Sequence, residues 1–331
     1  MKILYAIQGT GNGHVTRARD IYPELCKWGE VDILLSGVQA DVKLPFPVKY
    51  KLHGASFIFG SQGGVDMKAT AKAQRPLTLI RDILRLPVKD YDLIVNDFEP
   101  VSAWACRLRG KTCVSLSHQW AVIQPSSPLP ASRDRKGSVV LKRYAPVSAG
   151  YGFHFQAYGP NIYPPVIRGE VRALKPTDAG HYTVYLPSYD DATLVNALMQ
   201  FPGARWQVFS KHNRQPVTEG NVSVQPIDNA AFLQSMASSS GVLCGAGFEG
   251  PAEALYLRKK LLVIPMANQY EQQCNAAALA EMGVSVAGHL GPEYHDLIRS
   301  WITSDRRVKV DYPDRTAEII AQLVRQWEPR R

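Results

Sequence analysis

The chain has 331 residues, with 38 Lys and Arg against 29 Asp and Glu, which leaves a formal charge of +9. This length is typical of roughly two domains. A content of 45% apolar and 20% charged residues excludes a wholly disordered chain. The longest uncharged run near the middle, Tyr144–Ile167, carries four prolines and three glycines, so no membrane-spanning helix is predicted there or elsewhere.

The basic excess lies in the N-terminal half. Residues 1–165 hold 21 basic and 12 acidic side chains, whereas residues 166–331 hold 17 of each. This asymmetry indicates two halves with different partners, and drift of surface charge is the alternative explanation. Five cysteines, an odd number without metal-ligand spacing, predict reduced thiols in a cytoplasmic protein. The apolar run Ile3–Ile7 is too short for the core of a signal peptide.

Short apolar runs alternate with helical spacings along the N-terminal half, which predicts a parallel sheet with helical crossovers. The predicted strands are Lys2–Ile7, Val31–Leu35, Tyr91–Val95 and Thr112–Leu116, and the predicted helices are Thr16–Trp28 and Val101–Leu108. A loop rich in proline and serine is predicted at Pro125–Gly137.

The C-terminal half repeats this alternation after a strand at Gly152–Ala157 and a stiff linker at Gly159–Pro165. Its predicted strands are Tyr182–Leu186, Trp206–Ser210, Gly241–Cys244 and Leu261–Pro265, and its predicted helices are Asp190–Gln200, Asn229–Ser238, Phe248–Leu257 and Gln269–Met282. Ligands of such sheets bind beyond the carboxyl ends of the strands. Two facing α/β units therefore predict a binding cleft between them.

A first glycine cluster, QGTGNGH at Gln8–His14, follows the first strand directly. Its glycines allow close approach of the backbone, and the helix after it offers amide groups to an anion. The dinucleotide-binding fingerprint requires a glycine where His14 stands, so a nicotinamide enzyme is not predicted. His14 instead projects into the predicted cleft, where it can act as a general base. A structural histidine is the alternative.

A second glycine turn opens the segment CGAGFEGPAEAL at Cys244–Leu255 and leads into a helix, which predicts another anion cradle. Glu253 lies inside that helix and suits a sugar diol, from which its carboxylate can accept two hydrogen bonds. For Glu249, stabilisation of the helix start is the favoured interpretation.

Polar side chains crowd the segment IPMANQYEQQCNA at Ile264–Ala276. They are Asn268, Gln269, Glu271, Gln272, Gln273 and Asn275. Amides supply both donors and acceptors, which hydroxyl-rich ligands require. An ordinary solvated helix start is the alternative for any one of them.

These motifs resemble those of the inverting GT-B glycosyltransferases of the family 1 and family 28 type, which include UDP-glycosyltransferases and the peptidoglycan N-acetylglucosaminyl transferase. The specific part is Leu243–Val284, and GTGNGHVTRA at residues 9–18 resembles the acceptor-side glycine loop. The segments Asn96–Pro100 and His118-Gln119 are less specific. The resemblance implies an α/β GT-B fold, with two facing Rossmann-like domains, parallel sheets and a cleft between them. It divides the chain into an acceptor-binding domain at 1–160, a nucleotide-sugar-binding domain at 161–310 and a helix at 311–331 that crosses back to the first domain.

The resemblance also implies roles for individual residues. The catalytic pair is His14 and Asp97, in which Asp97 either orients His14 or is itself the base. The implied diphosphate site comprises Gly245, Ala246, Gly247, Phe248 and Glu249, with Ser188 at a phosphate. Glu253 is implied at the ribose and Ile227 at the base. The implied sugar site comprises Asn268, Gln269, Glu271 and Gln272. The acceptor side comprises Gly9, Thr10, Gly11, Asn12, Gly13 and His118. The sequence departs from the family pattern at two places. LPSYDD at Leu186–Asp191 stands where relatives have a glycine-rich turn, so that Asp190 and Asp191 would oppose a phosphate. Position 271 is Glu where relatives have Asp or Gln.

The implied reaction is transfer of a sugar from a nucleotide-diphosphate sugar, expected to be UDP-linked, to an acceptor hydroxyl. The resemblance implies inversion, and the absence of a DxD motif near a strand end predicts that neither a metal nor another cofactor is needed. A nucleotide-sugar epimerase or hydrolase of the same fold, or a non-catalytic nucleotide-sugar binding protein, are the alternatives. No nucleic-acid-binding motif is present, so no nucleic-acid partner is predicted.

Two basic clusters border apolar stretches in the N-terminal half. Lys68, Lys72, Arg75, Arg81, Arg85 and Lys89 flank Pro76–Pro87, and Arg133, Arg135, Lys136, Lys142 and Arg143 flank Gly137–Leu141. This combination suits an anionic membrane surface, which predicts a peripheral enzyme at the inner face of the membrane, or a lipid-linked or otherwise anionic acceptor. Solvated basic faces are the alternative. The donor sugar, the acceptor and the oligomeric state are left open by the sequence.

Overall fold

A computed structural model describes residues 1–10, 12–37, 44–55, 75–132 and 134–327. These residues form two seven-stranded sheets with helices packed against them, so the predicted α/β class with two parallel sheets is confirmed. No helix in the described ranges has the length and apolarity needed to span a bilayer.

The first sheet has the strand order β3-β2-β1-β4-β5-β6-β7, and every neighbouring pair is parallel. Its strands are β1 (Lys2–Gln8), β2 (Glu30–Ser36), β3 (Tyr50–Leu52), β4 (Leu93–Asp97), β5 (Val114–Leu116), β6 (Ala149–Phe153) and β7 (Ile162–Tyr163). Its helices are α1 (Asn12–Cys26), α2 (Pro76–Arg85), α3 (Pro100–Arg109), α4 (His118–Val122) and α5 (Arg135–Tyr144), with a 3-10 turn at Val88–Asp90. Strands β1 and β4 are buried on both faces, which explains their continuous apolar sequences.

The second sheet has the order β10-β11-β9-β8-β12-β13-β14 and is parallel except for the hairpin of β10 and β11. Its strands are β8 (His181–Tyr185), β9 (Arg205–Ser210), β10 (Val217–Glu219), β11 (Val222–Pro226), β12 (Gly241–Gly245), β13 (Lys260–Ile264) and β14 (Ser285–Val286). The remaining helices are α6 (Gly169–Arg172), α7 (Asp191–Leu198), α8 (Asn229–Ser238), α9 (Glu249–Tyr256), α10 (Tyr270–Glu281), α11 (His295–Thr303) and α12 (Thr316–Trp327), with a 3-10 turn at Pro292–Tyr294.

Each sheet reverses its strand order once, between β1 and β4 in the first sheet and between β8 and β12 in the second. At such a point the crossovers leave in opposite directions and open a crevice at the carboxyl ends of the two strands. The first glycine cluster follows β1 and Asp97 ends β4, while the second glycine turn follows β12. The reversal points therefore hold the motifs that the sequence singled out.

Three predicted boundaries are wrong in ways that matter for the site. Helix α1 begins at Asn12 rather than Thr16, so His14 lies in its first turn and not in a loop. The predicted loop Pro125–Gly137 gives way to α5 at Arg135. The predicted linker Gly159–Pro165 contains β7, because Ile162 and Tyr163 are buried and the strand pairs with β6.

The last helix, α12, packs against α1 at the beginning of the chain. Tyr163 donates from its hydroxyl to Oε1 of Gln322 at 2.7 Å, and the guanidinium of Arg325 lies 5.7 Å from the centre of the Trp28 ring. One apolar cluster runs from Ile3 in β1 through α12 to the helices of the second sheet. The division of the chain at residues 160 and 310 stays a prediction.

Candidate active site

His14 and Asp97 lie side by side at the reversal point of the first sheet. Nδ1 of His14 is 2.8 Å from Oδ1 of Asp97, whose side chain is fully buried. Burial of the imidazole opposes its charged form, but the neighbouring Asp97 carboxylate outweighs burial and raises the pKa of His14 above its ordinary value. The pair that the sequence proposed is thus within hydrogen-bonding distance.

The turn after β4 fixes the direction of Asp97. Phe98 adopts a left-handed backbone conformation with φ of 56°, which non-glycine residues rarely do and which is frequent at functional sites. Asn96 donates from Nδ2 to the carbonyl of Glu99 at 2.7 Å, and the Glu99 carboxylate accepts from the amides of Val101 and Ser102 at 2.7 and 2.6 Å. The turn is therefore held by its own buried polar residues.

Arg17 was not predicted as a site residue, yet it is the centre of the arrangement. Its Nη2 donates to both carboxylate oxygens of Asp97, at 2.7 and 2.8 Å, and its Nη1 donates to Glu249 at the start of α9. Burial alone would raise the pKa of Asp97, but Arg17 and His14 hold it below its ordinary value. The sequence carried a signal for this, because residues three apart on a helix share a face. The predicted helix begins at Thr16, so it does not place His14 and Arg17 on one face.

Gln119 joins the catalytic pair to the second sheet. Its Nε2 lies 3.2 Å from Nε2 of His14 and 3.1 Å from Oε2 of Glu271 in α10. When His14 is neutral and donates from Nδ1 to Asp97, the lone pair of its Nε2 accepts from the Gln119 amide. The carbonyl oxygen of that amide is buried and has no partner among the described residues. His14 and Glu271 are thus separated by a single side chain.

His118 was expected on the acceptor side, but its ring is buried between the two sheets. Nδ1 faces the carbonyl of Phe153 at 2.8 Å and Nε2 faces Oδ1 of Asn275 at 2.7 Å, while the ring stacks on Phe248 with centroids 3.9 Å apart. Burial lowers the pKa of His118. Both ring nitrogens are occupied, so in this arrangement His118 links the halves and does not present a free nitrogen to a ligand.

The donor-side turn follows β12 as predicted. A Cβ atom at Gly247 would meet no atom within 4 Å, so this turn faces open space. The first amide groups of α9 lack helical partners, as at every helix start, and are available to an anion. Asn275 of α10 stabilises the turn by donating from Nδ2 to the carbonyl of Ala246 at 3.0 Å.

The two acids of α9 have partners that the sequence did not reveal. Glu249 lies in the first turn of α9, where an acid was expected, and its carboxylate also binds Arg17. The Glu253 carboxylate is buried, and its two oxygens accept from Nε and Nη2 of Arg168. A ribose would therefore have to share Glu253 with Arg168, and the ribose role stays a prediction.

The other predicted donor residues lie at the carboxyl edge of the second sheet, several with local hydrogen bonds. Ser188 is buried after β8, and Ile227 follows β11 with its side chain partly exposed. Gln269 caps α10 by accepting from the Gln272 amide at 2.7 Å, and Oε1 of Gln272 accepts from the Met266 amide at 2.9 Å. Asn268 has a left-handed φ of 61° in the preceding turn.

The two aspartates that were expected to oppose a phosphate are engaged locally. Asp190 caps α7 by accepting from the Thr193 amide at 2.8 Å, and Asp191 accepts from the hydroxyl of Ser210. Both carboxylates are therefore engaged in local hydrogen bonds, and their effect on a phosphate stays a prediction.

The acceptor-side glycine loop is held tightly at both ends. The amide of Gly9 donates to the carbonyl of Ser36 at 2.6 Å, and Thr10 accepts from the side chain of Gln8 at 3.1 Å. Asn12 opens α1, and Gly13 lies against Glu249. Gly11 lies outside the described residues.

No group of three or more His, Cys, Asp and Glu side chains in the described part of the chain is arranged to hold a metal ion.

Comparison with known proteins agrees with this geometry. The pattern of the family described as Glycosyl transferase family 1 matches residues 1–294. Solved structures of similar fold include a UDP-glucosyltransferase from Polygonum tinctorium, at 14% identity and a TM-score of 0.58 over 99% of both chains. MurG from Acinetobacter baumannii is 13% identical, with a TM-score of 0.57 over 98% of this chain and 99% of that chain. SnogD from Streptomyces nogalater is 12% identical, with a TM-score of 0.53 over 99% of this chain and 95% of that chain.

No curated protein matches the chain. At these identities the solved structures establish a shared GT-B fold, which the resemblance predicted, and the family match covers most of the chain. The chain therefore belongs to glycosyl transferase family 1 and is a glycosyltransferase.

Proposed function

We propose that this enzyme transfers a sugar from a nucleotide-diphosphate sugar to an acceptor hydroxyl, with inversion and without a metal. The proposed donor is a UDP-linked sugar. One observation carries the proposal: Nε2 of His14 is directed at Gln119, whose amide also binds Glu271. A base and an acid suited to sugar hydroxyls thus lie on the two sides of one side chain.

In the proposed reaction the acceptor hydroxyl replaces the Gln119 amide at Nε2 of His14. His14 takes the hydroxyl proton while the oxygen attacks the anomeric carbon from the face opposite the donor diphosphate. The bond from the anomeric carbon to the diphosphate oxygen breaks, and the electron pair leaves with the nucleoside diphosphate. Asp97 accepts the hydrogen bond from Nδ1 and stabilises the imidazolium that forms.

The donor would lie along the carboxyl edge of the second sheet. Its diphosphate meets the amides of the turn Gly245–Glu249, where the leaving charge is stabilised by preorganised dipoles. Glu271 is the candidate for the sugar hydroxyls because its carboxylate is directed at Gln119 and His14. Glu253, Ile227 and Ser188 keep their predicted roles at ribose, base and phosphate.

A panel of nucleotides and nucleotide sugars in a thermal-unfolding assay tests the donor site. A ligand at a hundredfold excess over Kd raises the free energy of unfolding by about 2.7 kcal/mol. We expect a UDP compound to raise the unfolding temperature, and no response to any UDP, dTDP or GDP compound would contradict the donor site.

Product analysis separates the transferase from its alternatives. A transferase forms a new glycoside only when an acceptor hydroxyl is added. A hydrolase or epimerase consumes the nucleotide sugar alone, and a binding protein retains it unchanged. Loss of donor without acceptor, or retention with every acceptor class, would contradict the proposed reaction.

A lipid-linked or otherwise anionic acceptor, reached at an anionic membrane surface, is the second part of the proposal. Helix α2 exposes Leu77, Ile80 and Leu84 at 82%, 53% and 60%, and Arg81 and Arg85 lie on the same helix. Helix α5 exposes Val139 and Val140 ahead of Lys142 and Arg143. Lys68, Lys72 and Arg133 lie outside the described residues.

Vesicle binding tests this part. We expect vesicles rich in anionic lipid to retain the protein at low salt, because basic residues near the surface contribute about 1 kcal/mol each. The variant Leu77→Ser with Leu84→Ser should lose retention without a change in unfolding temperature, since both side chains are exposed. Equal retention on neutral vesicles, or no retention on anionic ones, would contradict membrane binding and leave the basic excess as drift of surface charge.

A further inference from the structure

Arg17 belongs to the N-terminal half but binds a residue of the donor-side turn. Its guanidinium donates through one nitrogen to both oxygens of Asp97 and through another to Glu249. The side chain is 1% exposed. A guanidinium suits this place because its fixed fork can hold two carboxylates in one plane, which a lysine ammonium cannot do in the same geometry.

Glu249 would obstruct a donor if it stood alone. It is the first residue of α9, where the amides that would cradle a diphosphate begin. A carboxylate there repels a diphosphate at short range, and its partial burial limits screening by water. The contact with Arg17 pairs this negative charge with a positive one.

Two further features fit this role. A Cβ atom at Gly13 would lie 2.5 Å from Oε2 of Glu249, so the glycine leaves the room in which Glu249 reaches Arg17. Nε of Arg17 is buried and has no hydrogen-bond partner among the described residues. The guanidinium therefore keeps one donor without a partner among those residues.

We propose that Arg17 is a positioning residue for the donor: it binds and neutralises Glu249 at the diphosphate turn, and through its second contact it connects that turn to the His14–Asp97 pair. The inference rests on the proposed function, because it takes the diphosphate to lie at this turn. The acceptor half thereby supplies the cation that makes the donor turn of the other half suitable for an anion.

The affinity for UDP, measured by calorimetry at fixed ionic strength, tests the proposal in three variants. Arg17→Gln leaves Glu249 unneutralised and should weaken UDP binding about 10-fold or more, in line with couplings between close charges. Glu249→Gln leaves Arg17 partly unpaired and should tighten UDP binding several-fold. The double variant should return to near the wild-type affinity.

Uridine, which has no phosphate, is the ligand control. Its affinity should stay constant across the three variants, because the effect of Arg17 is on charge and not on the shape of the site. Glu318→Gln is the protein control, since it removes an acid from an exposed pair with Arg315 on α12 and should leave UDP affinity unchanged. A merely structural role for Arg17 would weaken uridine and UDP together.

Arg17→Gln leaves Asp97 buried without its cation and can impair folding. The Glu249→Gln variant keeps the proposal testable in that case, because Glu249 is at the edge of the contact and Gln has the same shape. Unchanged UDP affinity in Glu249→Gln, or a folded Arg17→Gln that binds UDP as the wild type does, would overturn the proposal. A wild-type protein that binds no nucleotide would instead contradict the proposed function.

Discussion

Two strand–turn–helix units face each other where the sheets meet, β1 with α1 and β12 with α9, and each passes through glycines before its helix begins. The first unit presents side chains, because His14 and Arg17 stand one helical turn apart on α1. The second presents backbone amides beside open space at Gly247. In the proposed function, the same local geometry serves proton transfer on one side and anion binding on the other.

The difference between the units lies in what occupies the space at each turn. Beside the first turn, the Glu249 side chain of the other half lies close to Gly13. At the second turn, Phe248 stacks on His118, and a Cβ atom at Gly247 would meet no atom within 4 Å. The described residues therefore leave open space beside Gly247 but not beside Gly13.

Loss of His14 should separate the two units most clearly. His14→Ala removes the proposed base, and turnover should fall by about 10²- to 10⁴-fold. UDP affinity, measured by calorimetry, should stay near the wild-type value because the donor turn is untouched. Unchanged turnover with donor still bound would remove His14 from the role of base.

Replacing Asp97 should alter the first unit in a pH-dependent way. Since the Asp97 carboxylate raises the pKa of His14, Asp97→Asn lowers it, and the acid limb of kcat/KM should move to lower pH. Turnover on the plateau should fall by up to about 100-fold, within the range for general base catalysis. A pH–rate profile checks this, and an acid limb that stays in place would contradict the pairing.

Asn275 connects the second unit to the N-terminal half, since it binds His118 at the start of α4 and the carbonyl of Ala246 after β12. Asn275→Ala leaves both buried partners unpaired and should cost about 2 kcal/mol of unfolding free energy. Chemical denaturation measures this, with Asn196→Ala on an exposed position of α7 as the control. Equal free energies of unfolding for the two variants would show that the contacts of Asn275 do not stabilise the fold.

Gly247→Ala should act on the second unit alone. The added methyl meets nothing in the protein, so the unfolding temperature should not change. It would project where the diphosphate is proposed to approach, and UDP binding should weaken by about 1 kcal/mol, or roughly fivefold. Wild-type affinity in a folded variant would move the diphosphate away from this turn.

Much of the fold could be predicted because the signals were local. The alternation of apolar runs with helical spacing gave strands such as β1 and β13 within a residue or two. Helix α8 has the predicted bounds, Asn229–Ser238, and its start is fixed by the capping carboxylate of Asp228. The two-residue strand β7 was missed because its apolar run is too short to stand out between prolines, and its pairing with β6 defines it.

The candidate site divides in the same way. His14 and Asp97 were proposed together, and the structure places them 2.8 Å apart. Arg17 was missed because its partners, Asp97 and Glu249, lie 80 and 232 residues further along the chain. No spacing rule reaches so far, and by sequence alone Arg17 looks like any solvated arginine of a predicted helix.

The sequence by itself determined the α/β alternation, the two glycine turns and the residue types that suit proton transfer and anion binding, because each depends on neighbours a few positions away. Only the tertiary structure decided that both sheets reverse beside these turns, that Glu249 meets Arg17, and that Gln119 lies between His14 and Glu271. Buried charges and amides take whichever partner the packing of the two halves brings near, since leaving them unpaired costs more than a local contact gains.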